Sequence, residues 1–181
     1  MTERLALLEG FEKVPLSKEE KAIKLGENKW PLGLGLDVVQ ITNFAEYMIP
    51  YQGKAGAVIF RKGDIESFMC LINSGGVDIY PTEAKKTYEL IASLGPENTI
   101  GEMALIDGEP RSAYAFAKGP TMLFVMTKSN FLRLEEDHPD IWGKLVFRIA
   151  KLMSDRLRKA NQVLEQMKNS QTQAQLSRIK F

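Results

Sequence analysis

The sequence predicts a mainly β fold with flanking α-helices, in which short strands form a sandwich or barrel. Between residues 52 and 126, short apolar runs alternate with turn residues such as Gly63-Asp64 and Gly75-Gly76. This is the pattern of closely spaced antiparallel strands. Apolar residues recur at helical spacing before and after this region. A chain of 181 residues with 44% hydrophobic and 26% charged content suits one soluble globular domain with an appended segment.

The N-terminal part is predicted to hold two short helices joined by an irregular linker. Ser17 and Glu20 have the spacing of a capping box, which predicts that a helix begins there. Trp30-Pro31 and the following glycines indicate an irregular linker up to residue 35. Apolar residues at helical spacing after Asp37 predict a second helix that ends before Pro50.

Four stretches supply the predicted strands, and turn residues bound each of them. They are residues 53–64, residues 68–80 with a central glycine turn, residues 88–94 and residues 113–126.

The chain after residue 126 is predicted to be helical. Thr127 or Ser129 can cap a short helix through Glu136, and Pro139 suits the first turn of a longer one. An apolar seam at three- and four-residue steps runs along this second helix to about Lys168, on Val146, Ile149, Met153, Leu157, Ala160, Leu164 and Met167. The seam is longer than a small barrel can cover, so a homodimer through this helix is expected.

Composition excludes several classes of function. The net charge is +1 without a basic cluster, so binding to DNA or to an acidic membrane is not expected of this chain alone. No apolar run approaches the roughly 20 residues of a membrane span, and the N-terminus lacks signal-peptide features. One cysteine, Cys70 in an apolar run, suits a buried structural thiol in a reducing compartment, so a cytoplasmic location is expected. With one histidine, His138, neither a catalytic nor a metal site is expected.

Residues 100–113, Ile-Gly-Glu-Met-Ala-Leu-Ile-Asp-Gly-Glu-Pro-Arg-Ser-Ala, are the most informative stretch of the chain. Arg111 offers a planar fork of donors that stays protonated at working pH, and Gly101 lets the backbone approach a ligand. Residues 102–106 can form one helical turn whose free N–H groups favour an anion. The carboxylate of Glu102 can accept a hydrogen bond from a sugar hydroxyl.

This stretch resembles the phosphate-binding cassette of cyclic nucleotide-binding domains, the family of catabolite activator proteins and kinase regulatory subunits. The resemblance implies that Glu102 binds ribose and Arg111 binds phosphate. It also implies a pocket formed by Gly101, Glu102, Met103, Ala104, Arg111, Ser112 and Ala113. The Arg-Ser-Ala triplet that contains Ser112 resembles the same triplet in the bacterial activators. Cyclic AMP is therefore the expected ligand and cyclic GMP the second choice. No cofactor is expected.

The glycine positions extend the resemblance to the jelly roll of that family, over roughly residues 36–168. Gly56, Gly63, Gly75 and Gly101 match its usual turns. Where the family commonly has a turn glycine near position 97, this chain has Glu97-Asn98, and Asn98 is expected to take the left-handed conformation.

The predicted fold is therefore an antiparallel jelly-roll β-barrel with N-terminal helices and a long C-terminal helix. The expected segments are an N-terminal extension (1–35), the ligand-binding jelly roll (36–138), a dimer and lid helix (139–168) and a mobile tail (169–181).

The resemblance also indicates that positions on the long helix reach the nucleotide base. By register these are Ala160 and Asn161, and an Asn can both donate to and accept from an adenine edge. An ordinary solvent-facing role for Asn161 is the open alternative.

The expected function is a non-catalytic sensor or regulatory subunit with an unidentified downstream protein partner. The alternative is an interaction module that keeps the fold without the ligand. A helix-turn-helix module after Lys168 is not expected from the few residues that follow in this sequence.

Overall fold

The computed structural model of the protein describes residues 8–28, 34–83 and 90–178. It divides into two compact units, residues 1–143 and residues 144–181. The strands are β1 (Glu9–Lys13), β2 (Ile49–Phe60), β3 (Phe68–Ser74), β4 (Val77–Tyr80), β5 (Ala92–Leu94), β6 (Thr99–Ile100), β7 (Tyr114–Ala117) and β8 (Thr121–Thr127). The helices are α1 (Lys18–Glu27), α2 (Val38–Glu46), α3 (Glu102–Asp107), α4 (Lys128–Asp137) and α5 (Pro139–Arg178).

The strands form one antiparallel sheet in the order β5-β4-β7-β2-β8-β3-β6, with β1 paired to β2. Strand β2 changes partner along its length: it pairs with β8 from Ile49 to Gly53 and with β7 at Val58 and Phe60. Gly56, with φ of 79°, lies between the two pairings. The change of partner folds the sheet on itself, so the predicted mainly β jelly roll with flanking helices is confirmed.

The hydrophobic core lies inside this curled sheet, where the inward residues of the strands meet. Its buried members are Leu8, Tyr51, Ile59, Phe60, Phe68, Cys70, Ile72, Val77, Ile100, Ala115, Leu123 and Val125. The core therefore includes Ile100, which directly precedes residues 101–111. It also includes Phe60 and Phe68, which contact Arg111.

The predicted helix starts are confirmed by their caps. Ser17 and Asp37 each form a capping box, at the starts of α1 and α2. The side chain of Thr127 accepts from the N–H of Asn130 at the start of α4. Helix α5 begins at Pro139.

Three predictions about local structure need correction. Residues 9–13 form strand β1 within the segment predicted to be helical or irregular, because Phe11 packs on the sheet at Gly53. The long helix, predicted to end at Lys168 before a mobile tail, continues to Arg178, because no Gly or Pro after Gly143 interrupts it. Glu97, and not Asn98, takes the left-handed conformation, with φ of 69°.

Other predictions fall in part outside the described residues. Trp30-Pro31 of the predicted linker and the first two residues of the predicted strand 88–94 lie outside the described residues. Strand β5 begins at Ala92.

The four glycines matched to family turns, Gly56, Gly63, Gly75 and Gly101, all have positive φ, between 78° and 91°.

Candidate ligand-binding site

The backbone of the site is a short helix between two glycines. Strand β6 leads into Gly101, the N-cap of α3, with φ of 78°, and Gly108 ends the helix with φ of 74°. Gly101 offers no side chain to cap the helix, so its first N–H groups are not engaged by a cap. This is the helical turn predicted from residues 102–106.

Gly101 is also required for space. A Cβ atom built on it would lie 2.5 Å from Nη1 of Arg111 and 2.8 Å from the carbonyl oxygen of Phe68. Any side chain at this position would therefore displace Arg111 or the start of β3, besides straining the backbone. The glycine and the arginine of the motif, ten positions apart in sequence, form one contact in the folded chain.

The Arg111 guanidinium is held inside the site. Its Nη1 donates to the carbonyl oxygen of Gly101 (2.9 Å) and its Nη2 to that of Phe68 (2.7 Å). Arg111 is 4% exposed, and burial lowers the pKa of its guanidinium below the ordinary value. Its Nε–H is buried and has no hydrogen-bond partner among the described residues. A buried cation with an unused donor can bind an anion.

Two phenylalanine rings surround this guanidinium. Its central carbon, Cζ, lies 4.4 Å from the ring centroid of Phe60 and 4.3 Å from that of Phe68. The two rings make an edge contact of their own, with centroids 6.3 Å apart and planes at 66°. We call Phe60 and Phe68 the aromatic corner.

The loop between β2 and β3 fixes the backbone of Arg111. The N–H of Arg111 donates to the carbonyl of Asp64 (2.9 Å), and the N–H of Gly63 donates to the carbonyl of Arg111 (2.8 Å). The Asp64 side chain closes the loop by accepting from the N–H of Arg61 (2.6 Å). Sequence reasoning identified the Gly63-Asp64 turn but gave neither this loop nor the aromatic corner a role. The available signal was two phenylalanines flanking a glycine turn.

Glu102 is fully buried at the start of α3. The hydroxyl of Thr99, which is also buried, lies 3.5 Å from Oε1 of Glu102. Both the Glu102 carboxylate and Asp64 raise the pKa of Arg111 against the effect of burial. The structure thus brings Gly101, Glu102 and Arg111 together at the start of α3.

The remaining predicted site residues differ in their exposure. Ala104 is a buried residue of α3, Ala113 is half-buried, and Met103 and Ser112 are exposed. Asn161 is an exposed residue of α5 and belongs to the other compact unit, so its contact with a base stays a prediction.

The other chemically notable side chains lie elsewhere. Cys70 is fully buried, and burial raises the pKa of its thiol to about 12, which confirms the predicted structural role. His138 ends α4 and makes an edge contact with the ring of Tyr47. Among residues 8–28, 34–83 and 90–178, no three His, Cys, Asp or Glu side chains are grouped to hold a metal ion. No helix in the described part of the chain is long and apolar enough to cross a membrane.

Comparison with known proteins agrees with this geometry. Residues 52–138 match the family model of the cyclic nucleotide-binding domain. The chain is 34% identical over 110 residues to a cyclic AMP receptor protein of Thermus thermophilus, covering 61% of this chain and 49% of that protein. It is 25% identical over 128 residues to a cAMP-dependent protein kinase regulatory subunit of Blastocladiella emersonii, covering 69% and 31%. The chain thus spans about half or less of these relatives.

Solved structures show the same fold. The catabolite activator protein of Thermus thermophilus superimposes with a TM-score of 0.64 at 31% identity, covering 76% of this chain and 62% of that one. A cyclic nucleotide-binding domain of Methylobacillus flagellatus gives a TM-score of 0.68 over 83% and 85% of the two chains. At 23% identity, this second likeness concerns the fold alone.

Proposed function

Residues 52–138 place this chain in the cyclic nucleotide-binding domain family, and from that premise we propose that the site around Arg111 binds cyclic AMP. We further propose that the chain acts as a non-catalytic sensor or regulatory subunit. Cyclic GMP is the second candidate ligand.

The observation that carries the proposal is the state of Arg111. Its guanidinium is buried, and two of its donors are fixed by backbone carbonyls, while its Nε–H is left without a partner among the described residues. A buried donor without an acceptor is costly, and a cyclic phosphate would supply the missing acceptor together with a further negative charge. The uncapped start of α3 adds N–H groups for the same anion.

The ribose is assigned to Glu102. Its carboxylate lies at the start of α3, next to the glycine that contacts Arg111, and can accept from a 2′-hydroxyl. Because Glu102 is fully buried, this contact requires the carboxylate to turn toward the ligand. The ligand affinity therefore includes the free energy of that rearrangement.

We favour cyclic AMP over cyclic GMP as the proposed ligand for two reasons. Ser112, which follows Arg111 and is exposed, can donate its hydroxyl to the phosphate and need not be reserved for a guanine. The relatives from Thermus and Blastocladiella are named for cyclic AMP. Asn161 is proposed to contact the base.

Replacing Arg111 tests the phosphate site. Arg111→Ala removes one partner of a buried charge-assisted contact, which typically costs about 2–5 kcal/mol, so affinity for cyclic AMP should fall well over tenfold. Titration calorimetry against a panel of cyclic mono- and dinucleotides measures this. Arg111→Lys keeps the charge but not the planar fork, and is a second variant in case Arg111→Ala unfolds. Arg133→Ala, an exposed arginine on α4, is the matched control. Unchanged affinity in both Arg111 variants would place the ligand elsewhere.

The ribose assignment has a separate test. 2′-Deoxy cyclic AMP should bind the wild type more weakly than cyclic AMP, because it lacks the donor for Glu102. The Glu102→Gln variant should discriminate less between the two nucleotides. Equal affinity of the wild type for both would contradict the role of Glu102.

The alternative function is a protein-interaction module that keeps the fold without the ligand. Failure of the folded wild type to bind any cyclic nucleotide of the panel would favour this alternative.

For either function we propose that α5 pairs two copies of the chain. We also propose that a downstream protein, still to be identified, binds the domain.

A further inference from the structure

We propose that the aromatic corner, Phe60 and Phe68, positions the Arg111 guanidinium for the phosphate, and so sets the affinity for the nucleotide. This inference rests on the proposed function, because it concerns the same ligand. Neither phenylalanine belongs to the cassette motif of residues 100–113; they end β2 and begin β3 on the two sides of the Gly63-Asp64 turn.

The geometry of the corner leaves the guanidinium one orientation. The rings approach Cζ to 4.4 Å and 4.3 Å and are inclined at 66°, so they restrict the guanidinium from two directions. The carbonyls of Gly101 and Phe68 restrict it within its own plane. An arginine side chain otherwise has many rotamers, and fixing them costs conformational entropy.

The chemistry of the corner suits a buried cation without competing for its ligand. Ring faces attract the guanidinium through their quadrupoles but carry no hydrogen-bond acceptor, so they leave the Nε–H available. A carboxylate in the same place would pair with Arg111 and exclude the phosphate. The corner therefore holds the Arg111 guanidinium in one orientation before the nucleotide arrives, which lowers the conformational cost of binding.

The binding test removes one ring at a time. Phe60→Leu should weaken cyclic AMP binding about tenfold, the order of a desolvated cation–π contact. Phe124→Leu, at a fully buried phenylalanine of β8, is the matched control for lost core volume and should leave affinity unchanged. Higher affinity in Phe60→Leu would mean that the corner holds Arg111 away from the ligand, and would overturn the proposal.

A double-mutant cycle distinguishes positioning from mere structure. If Phe60 acts through the guanidinium, Phe60→Leu should cost little further affinity in an Arg111→Lys background, because lysine has no planar group to orient. A full, additive loss in that background would show that Phe60 supports the fold only, and would refute the proposal. Titration calorimetry at high protein concentration measures the affinity of Arg111→Lys and of the Phe60→Leu, Arg111→Lys double variant for cyclic AMP.

A readout without ligand separates this proposal from the proposed function. The Nε–H proton of Arg111, assigned by its loss in Arg111→Lys, should resonate upfield of exposed arginines because of the two ring currents. That shift should decrease in Phe60→Leu and persist in Phe124→Leu. A wild type with the shift but no affinity for any cyclic nucleotide would contradict the proposed function while leaving the corner in place. A wild type without the shift would contradict the corner.

Discussion

Glu97 occupies a backbone conformation that costs an L-amino acid free energy. It is the only non-glycine residue with positive φ in residues 8–28, 34–83 and 90–178. The turn is fixed from outside: the N–H of Glu97 donates to the carbonyl of Ile72, and the N–H of Ile72 donates to the carbonyl of Asn98. The Asn98 amide is occupied by the carbonyls of Gly95 and Pro96, so Asn98 shapes the turn without taking the left-handed position itself.

Glu97→Gly should therefore stabilise the protein. Relief of the left-handed strain is worth roughly 1–2 kcal/mol, less about 0.5–1 kcal/mol for the greater freedom of glycine in the unfolded chain. A net gain of about 0.5–1 kcal/mol in the free energy of unfolding is expected by urea denaturation. Glu109→Gly, at an exposed loop residue without positive φ, should lose stability slightly. A loss of stability in Glu97→Gly as well would show that the turn is not strained.

At the scale of elements, Lys128 connects α3 to the start of α4. Its ammonium donates to the carbonyl of Leu105 in the last turn of α3 (2.7 Å), and its N–H donates to the carbonyl of Ser67 before β3 (3.0 Å). A cation at a helix C-terminus satisfies a carbonyl and opposes the helix dipole. Lys128 thus holds the proposed phosphate-binding helix against the loop that fixes Arg111.

Lys128→Met should weaken cyclic AMP binding by about two- to tenfold. A cation at a helix C-terminus typically contributes roughly 0.3–1 kcal/mol, and more when it is partly buried. Lys128→Arg should keep most of the affinity, because it retains a donor and a charge. Lys118→Met removes a lysine that contacts Ser93 and is the control. If Lys128→Met binds like the wild type, α3 is positioned without this contact.

The elements that sequence reasoning predicted are those with local causes. Caps at Ser17 and Asp37, and glycines with positive φ, act within a few residues and leave a readable pattern. Gly101 and Arg111 were identified because the motif resembles that of a family, whereas the contact between them was not predicted.

What was missed depends on distant contacts. Strand β1 has one inward residue, Phe11, so it shows no apolar alternation; its ring packs where Gly53 leaves room for it. The aromatic corner likewise forms only when the ends of β2 and β3 meet Arg111. From the sequence alone, each phenylalanine is predicted to be an ordinary core residue.

At the scale of the whole molecule, the proposed dimer follows from the far half of α5. Leu157, Leu164 and Met167 are 63%, 55% and 60% exposed, and Leu157 and Leu164 are one heptad apart. An identical helix of a second copy offers the same spacing and can interdigitate with this seam, whereas isolated exposure of these residues would favour aggregation.

Light scattering of the purified chain should therefore give twice the monomer mass. Leu157→Glu and Leu164→Glu place charges in the seam and should shift the mass toward the monomer, because two glutamates would face each other across the pair. Gln162→Glu adds the same charge at an exposed position off the seam and should leave the dimer intact. Wild type that stays monomeric at high micromolar concentration, with and without cyclic AMP, would refute pairing through α5. Dissociation of the Gln162→Glu control would instead show that net charge, rather than the seam, governs the association.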